Sequence, residues 1–132
     1  MNYAIILAGG VGSRFWPLSS ELEPKQFLSV CSSKPMIEET INRIKPILNR
    51  ENIYLATNKI HKNKIFACAK KFKIPEKNIL LEPEGKNTFP PIALLTAKIN
   101  HKDPDAVIAA LPCDHIIKNI QKFRSTLLLA LK

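Results

Sequence analysis

Directly after the apolar run Tyr3-Ala4-Ile5-Ile6-Leu7 the chain places Gly9, Gly10, Gly12, Ser13 and Arg14. Glycines let a backbone take positive φ and approach a ligand closely. Successive N–H groups around such a bend can form an anion-binding concavity. Arg14 adds a permanently charged planar fork that matches phosphate geometry. Lys25, following Pro24, is a second cation delivered by the same excursion. The combination suits phosphate, the alternative being a tight turn whose arginine is merely solvated. Two commoner phosphate loops are excluded by spacing. No lysine follows the glycines in the G-x-x-x-x-G-K-[ST] register, and G-x-G-x-x-G fails because Phe15 stands three residues after Gly12.

The elements that must position these residues read as alternating strands and helices. Residues 2–8 are short, apolar and ended by glycine, hence a buried strand. Residues 35–48 carry Met36, Ile37, Thr40, Ile41, Ile44, Ile47 and Leu48 at three-to-four spacing, an amphipathic helix with Pro35 at its start. Residues 52–57 predict a second strand, and Asn58 a cap for a helix running to about Phe72. A third strand is predicted over 78–83. A helix follows, capped near Asn87 or Thr88 and carrying Pro90 and Pro91 in its first turn. Residues 105–112 predict a fourth strand and 119–132 a last helix.

This alternation implies βαβ crossovers and an α/β fold: a Rossmann-like, three-layer αβα arrangement with a mainly parallel sheet. Such sheets bind ligands beyond the carboxyl ends of their strands. That edge collects Gly9 onward, Glu82 onward and Asp114 onward.

At 132 residues, 45% of them hydrophobic, the chain suits one packed domain. No apolar run approaches the roughly 20 residues that span a bilayer, and no basic region precedes the first apolar run as in a secretory signal. Cys31, Cys68 and Cys113 are widely spaced and odd in number, as expected of buried reduced thiols in a cytoplasmic protein. The formal charge of +9 raises nucleic acid as a partner. However, Lys59, Lys62, Lys64, Lys70, Lys71 and Lys73 recur along one helix-like segment without stacking aromatics. A solvated basic face is the expectation, with neither nucleic acid nor membrane as partner.

Three stretches carry a family resemblance. "LAGGVGSRFWPLSSELEPKQFL" resembles the G-G-x-G-x-R-L-x-P-L…P-K signature of sugar-nucleotide pyrophosphorylases, and Trp16 with Pro24-Lys25-Gln26-Phe27-Leu28 looks like the bacterial mannose-1-phosphate guanylyltransferases. "LEPEGKNTFPPIAL" resembles that family's E-P-x-x-R-N-T-A-P-A-I-A, and "LPCDHII" its L-P-A-D-H. The resemblance covers essentially the whole chain.

It implies an enzyme that joins GTP to mannose 1-phosphate, giving GDP-mannose and pyrophosphate. Gly9, Gly10, Gly12 and Ser13 would lie against the triphosphate, with Arg14 on the departing pyrophosphate and Lys25 near the reacting phosphates. Asp114 would coordinate Mg²⁺; read from position alone, it serves equally well as a helix N-cap. His115 is expected to be a structural hydrogen-bonder. Glu82, Pro83, Gly85 and Lys86 would lie against base and ribose. Asn87 and Thr88 would either join them or cap their helix. Lys86 stands where the family has arginine, and Phe89 and Pro91 where alanines are usual, enlargements that would narrow the pocket.

The resemblance further implies that residues 1–132 are the N-terminal nucleotide-binding portion of a larger domain. The family's sugar-binding surface and second metal-binding aspartate come later in its sequences. Two expectations follow: a guanylyltransferase, active or inactive as this short chain, or a non-catalytic GTP-binding subunit. Either would accommodate a homo-oligomer or a complementary polypeptide.

Overall fold

The computed structural model describes residues 1–10, 17–30, 32–85 and 87–132. Among them four strands, β1 (Asn2–Leu7), β2 (Ile53–Asn58), β3 (Ile79–Glu82) and β4 (Val107–Pro112), pair in parallel in the order β3-β2-β1-β4. Four helices join or follow them: α1 (Met36–Ile44), α2 (Lys62–Phe72), α3 (Phe89–Lys102) and α4 (Ile120–Ala130). The expected α/β class and parallel sheet are therefore present.

The two inner strands are apolar because helices cover them on both sides. Residues Tyr3 to Ile6 are wholly buried, and so, nearly, are Ile53 to Thr57. Side-chain alternation divides them between two cores. Ala4, Ile6 and Ala8 pack with Ile53 and Leu55 against α1 and α2, while α4 adds Phe123 and Leu127 at the margin. Tyr3, Ile5, Tyr54 and Ala56 face the other way, onto Leu95 and Ile99 of α3. Truncating a fully buried isoleucine such as Ile6 to alanine costs about 2–5 kcal/mol in a core of this kind.

Two helix ends and the setting of the last strand differ from expectation. α1 ends at Ile44, short of residue 48, because Pro46 has no N–H and its ring crowds the carbonyl four residues back. That carbonyl, of Asn42, accepts instead from Arg124 Nη2 at 3.1 Å, and Arg124 Nε donates to Arg43 O at 2.8 Å. Asn58 caps a 3₁₀ turn (Lys59–His61) by accepting from Ile60 N; α2 starts only after that turn. β4 has a strand on one side alone among the described residues, and Val107, Ala110 and Pro112 are exposed despite their apolar run.

The lysines of the α2 region lie mostly at the surface, some with acidic neighbours. Lys64 pairs with Glu23, and Lys71 Nζ lies 2.7 Å from Glu38 Oε2. Cys68 and Cys113 are buried free thiols, and burial pushes Cys68 up to about 12. Cys31 lies outside the described residues.

Candidate active site

All four strands point the same way, so Ala8, Asn58, Glu82 and Cys113 arrive at one edge. Two adjoining cavities occupy that edge, of about 480 and 520 Å³. Leu7, Gly9, Gly10 and Thr88 line both, so the glycine bend is the ridge between them.

The first cavity is bounded on its far side by Lys25, Cys113 and Asp114. Lys25 opens a 3₁₀ turn (Lys25–Phe27), and its Nζ lies 3.6 Å from Asp114 Oδ2. Both groups are partly exposed, so the pair contributes little to stability. Its use is to keep a cation and a carboxylate at one place. Asp114 caps no helix, since α4 takes Asn119 as its cap through Lys122 N. His115 is a correction: its side chain is 65% exposed, 3.8 Å from Asp114, and it is the backbone carbonyl that accepts a hydrogen bond, from Arg43.

The second cavity is bounded by Glu82, Gly85, Asn87, Asn58 and His61. Glu82 is 8% exposed, and its carboxylate has no hydrogen bond or ion pair among the described residues. Burial alone holds its pKa above the ordinary carboxylate range. A buried acceptor without a donor suits a ligand that brings N–H groups. His61 packs against Phe27 with ring centroids 5.6 Å apart, and burial with the Lys64 charge lowers its pKa. Thr88 stands at the α3 N-cap without making a side-chain cap, and Asn87 is held at φ 62°. Their side chains are thus not spent on the helix.

Pro83 lines neither cavity but an adjoining groove of about 340 Å³, which shares Glu82 with the second. Phe89 is 78% exposed and narrows neither cavity, whereas Pro91 lines the second. Gly12, Ser13, Arg14 and Lys86 lie outside the described residues.

Gln26 was not singled out by sequence reasoning. It is 3% exposed, and its Nε2 donates to Ala8 O at 2.8 Å and Gly10 O at 3.2 Å. Thr57 Oγ1 also donates to Ala8 O, at 2.8 Å. Two buried donors therefore aim the bend's carbonyls inward, in a stretch where Gly10 has φ 107°. The residue beside Lys25 thus ties its turn to the glycines.

Among the described residues no three His, Cys, Asp or Glu side chains cluster as metal ligands. Asp114 supplies the one carboxylate lining the first cavity among the described residues, and one carboxylate is a donor set that a divalent cation can complete with phosphate and water oxygens.

The family described as "Nucleotidyl transferase" matches residues 3–130. The chain belongs to the nucleotidyl transferase family. Among its relatives, a mannose-1-phosphate guanylyltransferase of Escherichia coli is 37% identical over 93% of this chain and 27% of its own length. One of Salmonella muenchen is 41% identical over 90% and 25% respectively. A crystal structure from Thermus thermophilus, described as a mannose-1-phosphate geranyltransferase, superposes with a TM-score of 0.80 at 32% identity, covering 97% of this chain and 36% of that one. The chain thus spans about a quarter of the length of the curated relatives it matches. No helix among its described residues is long and apolar enough to cross a membrane.

Proposed function

We propose that residues 1–132 form the nucleotide-binding portion of a mannose-1-phosphate guanylyltransferase. The reaction transfers GMP from GTP to mannose 1-phosphate: a sugar-phosphate oxygen bonds to the α-phosphorus and the bond to pyrophosphate breaks. GDP-mannose and pyrophosphate result. One observation carries the reading. A buried carboxylate, Glu82, unpartnered among the described residues, and the Lys25–Asp114 pair stand on opposite sides of a single glycine bend. A guanine placed against Glu82 presents N–H donors to it, and its triphosphate then crosses Gly9 and Gly10 into the first cavity.

In this reading Gly85, Asn87 and Thr88 contact base and ribose. Gly9 and Gly10, with Gly12 and Ser13 beyond them, offer polar groups to the phosphates. Arg14 holds the pyrophosphate and Lys25 the reacting phosphate. Lys86 and Pro83 flank the nucleotide segment. The sugar phosphate is already ionised, so catalysis consists of placing two polyanions in line and offsetting their repulsion. Asp114 would hold Mg²⁺, which supplies charge neutralisation at the phosphate oxygens. The protein is expected to work in the cytoplasm, alone or with a complementary polypeptide.

Calorimetric titration with GTP and Mg²⁺, beside an assay of GDP-mannose formation, tests this. Binding with turnover that falls at least 10²-fold in Asp114→Ala supports the transferase. Binding without turnover supports a non-catalytic nucleotide-binding subunit. No binding of GTP overturns both.

A further inference from the structure

α1 carries a buried cation that the site so far leaves unused. Arg43 is 6% exposed, lies against the Phe123 ring of α4 at 5.4 Å, and makes no ion pair with the described residues. Glu39, one turn earlier, lends its negative charge without forming an ion pair, and burial still outweighs it; an apolar side chain would fill the α1–α4 contact at less cost. What Arg43 does hold is a backbone carbonyl: its Nη2 donates to His115 O at 3.1 Å. Three residues earlier on the same helix, buried Thr40 donates from Oγ1 to Cys113 O at 3.4 Å. One carbonyl on each side of Asp114 is thus held from α1. The stretch from Cys113 to Asn119 forms neither helix nor strand, so no regular backbone pairing fixes Asp114 beyond its anchor at Cys113 N.

We propose that Arg43 is a positioning residue for Asp114, setting through the His115 carbonyl where that carboxylate meets a divalent cation and the phosphates of the nucleotide. This rests on the reading of Asp114 given above. Partners that orient a metal ligand from behind typically matter about 10–100-fold in metal affinity. Arg43 differs from an ordinary core residue in having one specific downstream atom to place.

The test measures GTP affinity by calorimetry with and without Mg²⁺, in the wild type, Arg43→Met, Asp114→Asn and the double variant. The increment due to Mg²⁺ is expected to shrink about tenfold or more in Arg43→Met, with metal-free binding unchanged within about twofold. In the Asp114→Asn background the Arg43 substitution should add nothing, because the group it positions is gone. Equal losses with and without Mg²⁺, or in both backgrounds, would show a merely structural role and overturn the proposal, as would an unchanged increment. If far-UV circular dichroism shows Arg43→Met unfolded, Arg43→Lys and Thr40→Val are held to the same criteria. A wild type without any Mg²⁺-dependent GTP binding would overturn the functional reading and this inference together. An intact wild-type increment that the variants share overturns the inference alone.

Discussion

Glu82 buries its carboxyl group at the end of β3 without a hydrogen bond or ion pair among the described residues. Its pKa is raised in the folded chain, so between the ordinary carboxylate value and that raised value the native state binds more protons than the unfolded one. Stability therefore falls as pH rises through this window. Glu82→Gln removes the penalty: it should melt higher than wild type at about pH 7, and the advantage should vanish below about pH 4.5. The same variant should bind GTP more weakly, since an amide offers the base one acceptor and a competing donor. Thermal melts across pH, with calorimetry, check both halves. Gln26 behaves oppositely. Gln26→Leu strips a donor from Ala8 O and Gly10 O, and should cost about 1–3 kcal/mol in urea unfolding while weakening GTP binding. Glu82 and Asp114 were visible in sequence because they sit in recognisable stretches at strand ends. Gln26 also sits in a recognisable stretch, but its role and that of Arg43 were not visible: their partners stand 18, 16 and 72 positions away, and nothing in local spacing announces a carbonyl brought close by the fold.

At the scale of elements, all four strands and all four helices were legible from apolar periodicity, and the misjudged ends have local causes. Pro46 stops α1 and leaves two carbonyls that α4 answers through Arg124. The 3₁₀ turn Lys59–His61 takes the cap that α2 was expected to use. Pro83, expected against the nucleotide, lines a groove that shares Glu82 with the second cavity. A strand shows two faces and an edge, and sequence alone does not say which a following residue will join. The Arg124 contact also predicts an outcome. Arg124→Met leaves the Asn42 and Arg43 carbonyls without their donor and loosens α4 from α1. A loss of about 1–3 kcal/mol is expected, measured by denaturant unfolding.

Across the whole molecule the layers are unequal: α1, α2 and α4 cover one face of the sheet, and α3 covers the other. α3 buries Pro91, Leu95 and Ile99 among 14 residues, whereas α1 buries seven of its nine. Few buried contacts mean easy local opening. Backbone amides of α3 should therefore exchange with deuterium sooner than those of α1, as mass spectrometry of the native chain would show. Thr88, Pro91 and Ile92, at its amino end, also line the cavities. A nucleotide seated there would brace the thinner wall, so adding GTP with Mg²⁺ should slow exchange in α3 and leave α1 nearly unaltered. The weakest wall of the protein would then be the one that registers whether the site is filled.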